Sequence, residues 1–216
     1  GDLLSKERPN ILFIFSDDHS FEAISAYGGR LKDVAPTPNL DRIAAEGIRF
    51  DNCFVTNALC GPCRAVIQTG KHSHLNGFLE NHHVFNGDQQ TFPKLLQKGG
   101  YQTALIGKWH LGEAIRDRFD EIREVDTSGF QLPSGEAAKA GKFVETLEGE
   151  AQSGCAEWIP LIKDRPKGKP FFLWLAALDP HRPYHPGIID EPSRSDEIKV
   201  APYHPDTPAV RAENFS

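Results

Sequence analysis

The 216-residue sequence predicts an α/β fold with a mostly parallel sheet and helices on both faces. Two observations carry that expectation. Residues 10–15 and 171–178 are unbroken apolar, β-branched and aromatic runs, the character of strands buried on both faces. Between them, stretches with helical periodicity end at glycines and alternate with strand-like runs.

The elements follow in order. "PNILFIFSDDH" is a buried strand with Ser16, Asp17, Asp18 and His19 at its C-terminal end, where open α/β sheets bind ligands. "TPNLDRIAAEG" is a helix: Thr37 or Asn39 caps it, Leu40, Ile43 and Ala44 form an apolar face, and Gly47 stops it. "IRFDNCFV" alternates as a short strand. In "LCGPCRAVIQTG", Pro62 opens a helix over 62–69, since its missing N–H would find no partner there anyway, and Gly70 ends it. "TFPKLLQKGG" is a further short helix. "YQTALIG" is a strand followed directly by Lys108, Trp109 and His110. Residues 114–141 are polar and irregular, and a helix is expected over 154–163. "KPFFLWLAALDPHRPY" is the second long strand, ending in Asp179, Pro180 and His181. From residue 184 prolines recur without periodicity, which reads as a surface excursion of the same domain.

Composition narrows the function. The net charge of −6, with both signs interspersed, argues against nucleic acid or an anionic membrane as the main partner. No apolar run is long enough to span a bilayer. Four cysteines are too few for a disulfide-framed miniprotein. The sequence opens at Gly1 and contains no Met, which reads as a processed or engineered product; a removed export signal explains that, and so does a cloning boundary.

Three strand ends deliver polar residues to one sheet edge: Asp17 and Asp18, Lys108 and His110, and His181. Adjacent carboxylates repel, and a hard divalent cation offsets that; the bland alternative is a solvated turn capped by Asp17. Lys108 and His110 flank Trp109, and alternate strand residues share a face, so both are expected to point the same way. A lysine offers a point charge to an anion and a histidine a proton shuttle near neutral pH. Alternatively they are a surface lysine and a histidine packed by the tryptophan. His181 is either a ligand or a loop histidine. His72, His74, His82 and His83 form a loose cluster that matches no zinc template, with His82 and His83 taken as substrate-loop or structural residues. Cys60 admits two readings. Cys60-Gly-Pro-Cys63 spells a redox pair at a helix N-terminus. Cys60, Pro62, Arg64 and Thr69-Gly70 spell a different pattern, with Arg64 one helical turn from Cys60 on the same side.

Taken together, "ILFIFSDDH", "TPNLDRIAAEGIRF", "CGPCRAVIQTG", "YQTALIGKWHLG" and "KPFFLWLAALDPHRPY" resemble, in order, the type I sulfatases of the alkaline phosphatase superfamily. "DPHRPY" and "PYHPDTPAVRAE" further resemble the heparan N-sulfatase branch. The resemblance implies an alkaline phosphatase-like fold and a hydrolase of sulfate esters or sulfamates, on a sugar or glycosaminoglycan. It implies that Cys60 is oxidised to formylglycine by a maturing enzyme. The hydrated aldehyde carries two hydroxyls: one attacks sulfur, and deprotonation of the other restores the aldehyde as sulfate leaves. It further implies that Asp17, Asp18 and residue 60 bind Ca²⁺, with Mg²⁺ as an alternative. Arg64 holds residue 60, Lys108 binds sulfate, His110 assists at the hydroxyl, and His181 contacts sulfate and protonates the leaving group.

Three departures from the family pattern stand out. Cys63 replaces the usual serine, His19 follows the aspartate pair, and the family's remaining metal ligands and second lysine lie in a later half that has no counterpart here. Residues 1–183 therefore read as the N-terminal part of a sulfatase catalytic domain, with 184–216 as its excursion. The competing readings are a phosphonate or phosphodiester hydrolase of the same superfamily, a non-catalytic fragment that binds sulfated glycans, and a Cys-x-x-Cys redox protein. The last leaves Asp17, Asp18, Lys108, His110 and His181 without a role.

Overall fold

The computed structural model describes residues 8–125, 144–147, 155–181, 200 and 206–208. The excursion expected over 184–216 lies almost wholly outside them. Two compact units are present: Gly1–Asp17 with Val55–Asp179, and Asp18–Phe54 with Pro180–Ser216.

The first unit carries a five-stranded sheet. Its strands are β1 (Ile11–Ser16), β2 (Gln102–Gly107), β3 (Glu121–Val125), β4 (Val144–Leu147) and β5 (Phe171–Ala177), in the spatial order β1-β5-β2-β3-β4. Every pairing is parallel; Ile14 sits opposite Leu175, and Leu105 opposite Trp174. The helices of this unit are α2 (Cys60–Thr69), α3 (Ser73–Asn76), α4 (Phe92–Lys98) and α5 (Trp158–Asp164). The remaining helix, α1 (Pro38–Glu46), belongs to the second unit.

Strand alternation divides the core in two. Leu105, Ile122, Phe172, Trp174 and Ala176 point to one face, against Ala65 and Ile67 of α2 and Phe92 and Leu96 of α4. Ala104, Ile106, Leu173 and Leu175 point to the other, against Trp158, Leu161 and Ile162 of α5. Helices thus cover both faces of β2 and β5, but not of β1: it packs Ile11, Phe13 and Phe15 against the first layer and leaves Leu12 and Ile14 exposed, because it lies at the end of the strand order. Trp174 centres the first layer, its ring 5.1 Å from Phe13 and 6.4 Å from both Phe92 and Phe119. Gly107 closes β2 at φ 108°, where a Cβ would collide with the Ala176 carbonyl oxygen. That carbonyl also accepts the Lys108 N–H at 2.9 Å.

Four expectations need correction. "IRFDNCFV" is no strand: residues 48–55 carry no sheet pairing, and Ile48, Phe50 and Phe54 are exposed. Alternation alone cannot hold a strand without a neighbour for its backbone groups. Helix α1 forms, but none of its residues is buried, and Leu40 and Ile43 are exposed. Its entry is fixed by polar contacts instead. Ser25 and Thr37 exchange backbone-to-hydroxyl hydrogen bonds of 3.0 and 2.8 Å, and both hydroxyls donate to Asp41 at 2.5 and 3.2 Å. The stretch 114–141 is not wholly irregular, since it holds β3. The sequence "EIREV" hides β3 because its charges are satisfied laterally: Arg123 binds Glu121 (2.8 Å) and Glu157 (2.7 Å), and Glu124 pairs with Arg116. Finally, α2 begins at Cys60 rather than Pro62.

Trp174→Ala is expected to destabilise the full-length protein by about 3–5 kcal/mol in urea titration, and Ile159→Ala, on the exposed side of α5, by less than about 0.5 kcal/mol. Equal effects of the two would contradict this division of the core.

Candidate active site

Helix α2 begins where the chain turns back over the carboxyl edge of the sheet. Its N-cap, Leu59, is extended and offers no side-chain cap; Pro62 brings no N–H; and Cys63 N–H donates to Leu59 O at 2.8 Å. Cys60 occupies the first helical position, half-buried. Cys53, Cys60, Cys63 and Cys155 are all free thiols. The Cys60 sulfur lies 3.3 Å from Nδ2 and 3.5 Å from Oδ1 of Asn81, whose Oδ1 accepts the Gly61 N–H at 3.1 Å.

One turn on, Arg64 is buried to 1% exposure. It donates from Nη1 to the Lys108 carbonyl at 2.7 Å, and its guanidinium lies 5.0 Å from the Phe15 ring centroid. Nη2 is 3.9 Å from Asp17 Oδ1, beyond hydrogen-bond length, and neither Nε nor Nη2 makes a hydrogen bond. Burial pushes the Arg64 pKa below its ordinary value; the Asp17 carboxylate, then Cys60 and Cys63, oppose that shift. Lys108, 2% exposed, forms an ion pair with the 5% exposed Asp17. Three charged side chains from β1, α2 and the end of β2 are therefore buried together.

The remaining expected residues fall as follows. Lys108 and His110 do not share a strand face, because β2 ends at Gly107 and His110 is left-handed, at φ 58°. The His110 backbone nevertheless passes Gly61: a Cβ on that glycine would sit 3.4 Å from the His110 carbonyl oxygen. Asp18 and His181 belong to the second unit, where His181 Nε2 lies 3.6 Å from Asp18 Oδ2. Asp18 is also left-handed, at φ 57°. Beside them, burial lowers the pKa of His19, partly opposed by a hydrogen bond with the Ala23 backbone. His82 is exposed. His83 shapes a turn, accepting the Leu79 N–H on Nδ1 at 3.2 Å with Nε2 3.4 Å from Glu80. The rings of His72 and His74 stack at 5.7 Å. Asn81, in "ENHH", belongs to no motif, and only the fold brings it to Cys60.

A divalent cation finds only part of a site here. Asp17 is engaged by Lys108 and Arg64, and the described residues contain no group of three His, Cys, Asp or Glu side chains able to hold a metal.

Fold and cluster define a parallel α/β protein with a buried, charged centre at the carboxyl edge of its sheet. The sulfatase family model matches residues 9–198, and the chain belongs to the sulfatase family. It is 45% identical over 197 residues to an N-acetylglucosamine-6-O-sulfatase of Bacteroides thetaiotaomicron, covering 85% of this chain and 34% of that protein. It is 31% identical to human N-acetylgalactosamine-6-sulfatase, covering 82% and 40%. A solved structure described as a complex with its substrate D-glucosamine-2-N,6-O-disulfate matches with a TM-score of 0.65 and 46% identity, covering 82% of this chain and 35% of that one. The phosphonate monoester hydrolase of Agrobacterium radiobacter, at 19% identity and a TM-score of 0.61, shares the fold. The chain spans about a third of the length of the first of these relatives. Family membership sets the redox reading of Cys60 and Cys63 aside.

Burial raises the Cys63 pKa; the Arg64 charge opposes the shift, and Asp17 and Cys60 add to it. Its thiolate therefore forms at higher pH than usual. Peptide-resolved alkylation at mildly alkaline pH should label Cys63 more slowly than the exposed Cys53 and Cys155, with the gap narrowing as pH rises. Equal rates throughout would contradict the burial.

Proposed function

We propose that the whole protein is a sulfatase that releases sulfate from the 6-O position of an amino sugar, in a glycosaminoglycan or a fragment of one. The observation that carries this reading is Cys60 at the first position of α2, one turn from a buried Arg64 that donates to the Lys108 carbonyl and lies 3.9 Å from Asp17, itself paired with Lys108. The choice of a 6-O-sulfated amino sugar rests on the names of the relatives, which favour an ester over the sulfamate suggested by the tail.

Sulfatases generally work through a formylglycine and Ca²⁺. As formylglycine, residue 60 supplies an oxygen nucleophile and a route for expelling sulfate that a serine lacks. The protein's own groups do the rest. Arg64, desolvated and with Nε and Nη2 outside any hydrogen bond, holds fixed positive charge beside residue 60. Lys108 adds a point charge for the sulfuryl oxygens. His110 takes a proton at residue 60, and His181 gives one to the departing sugar oxygen. Asp17 sets the position of both cations. Ca²⁺, or Mg²⁺, is a cofactor of the full-length protein in this reading, with Asp17, Asp18 and residue 60 as the ligands from this chain. His82 and His83 border the substrate side. Residues 1–183 form the N-terminal part of the catalytic domain, and residues 184–216 an excursion from it. The protein is exported and matured by an enzyme that oxidises Cys60. Among the described residues, no helix is long and apolar enough to cross a membrane.

The test is sulfate release by the full-length protein from 6-O-sulfated N-acetylglucosamine, N-sulfated glucosamine and a phosphonate monoester. Turnover should be fastest on the first. Cys60→Ala should lower it by about 10³-fold or more with the melting temperature unchanged, and Lys108→Ala by about 10²–10³-fold. Full activity of Cys60→Ala sinks the mechanism, and preference for the phosphonate ester replaces the substrate class.

A further inference from the structure

Asn81 sits against the residue on which the proposed chemistry depends, and its orientation is fixed by elementary hydrogen-bond logic. The Gly61 N–H can only donate, so the carboxamide must turn its oxygen toward it, at 3.1 Å. With the oxygen held by Gly61, the NH₂ group is the donor offered to the side chain of residue 60: Nδ2 lies 3.3 Å from the sulfur, nearer than Oδ1 at 3.5 Å. The approach is built in. A Cβ on Gly61 would lie 3.0 Å from Asn81 Oδ1 and 2.9 Å from the Phe78 ring, so glycine is what lets the carboxamide come so close. Phe78, 2% exposed, backs the glycine from the core. The turn carrying Asn81 is tied on both sides. Asn57 donates to Leu79 O at 3.3 Å, Leu79 N–H to His83 Nδ1 at 3.2 Å, and His83 N–H to Glu80 O at 3.2 Å.

Resting on the functional reading above, we propose that Asn81 is a positioning residue for the side chain of residue 60. Its oxygen holds the first turn of α2, and its NH₂ donates to the outermost heavy atom of residue 60, selecting the rotamer presented to the buried cations. A donor so placed acts on the reacting residue rather than on the sugar, so its loss falls on kcat and not on KM.

A mere helix-capping role is separable from this one, because Asn81→Asp keeps the acceptor for the Gly61 N–H and suits a helix N-terminus. What it removes is the donor. In full-length protein, with rates normalised to the fraction of residue 60 converted as read by peptide mass, Asn81→Asp is expected to lower kcat about 10–100-fold. KM should stay within about threefold and the melting temperature should not move. In unconverted protein, a carboxylate in place of the donor should slow alkylation of Cys60 at neutral pH by about tenfold, while Val84→Asp, at an exposed position nearby, leaves it unchanged. Wild-type kcat and wild-type alkylation in Asn81→Asp overturn the proposal, as does a loss of kcat matched by a loss of melting temperature. If fully converted wild-type protein releases no sulfate from any ester, the functional reading fails. The alkylation rates then still decide whether Asn81 governs residue 60.

Discussion

The Asp17 carboxylate, buried just past the end of β1 with both Lys108 and Arg64 turned toward it, is the constraint on which the rest of the site depends. A buried carboxylate left without its cations is costly, roughly 3–5 kcal/mol once a partner is removed. Each partner in turn fixes an element. Lys108 follows Gly107, whose missing Cβ lets the end of β2 leave the sheet across the Ala176 carbonyl. Arg64 rides on α2 and is held over Phe15 while its guanidinium ties down the Lys108 carbonyl. With β1, β2 and α2 pinned to one charge cluster, the first residue of α2 has a defined place, and that residue is Cys60.

The sequence revealed most of this frame. The apolar runs of β2 and β5 announce strands covered on both faces, and the two core layers bear that out; the run of β1 announces the same, but β1 is covered on one face only, with Leu12 and Ile14 exposed on the other. Glycine stops ended α1 and α2 where expected. What stayed hidden has physical reasons. β3 carries charges answered by Arg116, Arg123 and Glu157, which no local pattern reveals. Alternation in "IRFDNCFV" looked like a strand because alternation says nothing about whether a neighbour exists. Lys108 and His110 were placed on one face by strand logic, and a left-handed His110 breaks that logic. Asn81 was invisible for another reason: it reaches Cys60 across 21 positions of chain, a separation set by tertiary packing alone.

Family membership and partial span bear on different questions. Membership rests on a match over residues 9–198 and on relatives that act, by name, on sulfated amino sugars. The described residues bring Cys60, Arg64, Lys108 and Asp17 into one unit, while Asp18 meets His181 in the other. A cation site needs more oxygen donors than the two adjacent aspartates supply. The matched region covers 34% and 40% of the two curated relatives, so activity measurements belong on full-length protein.

The most direct test is the mass of the peptide containing residue 60, from full-length protein made together with a maturing enzyme. The account predicts an aldehyde there, with oxygen in place of sulfur and two hydrogens fewer, while Cys63 in the same peptide stays a free thiol. An unmodified Cys60, or a disulfide between Cys60 and Cys63, would contradict it.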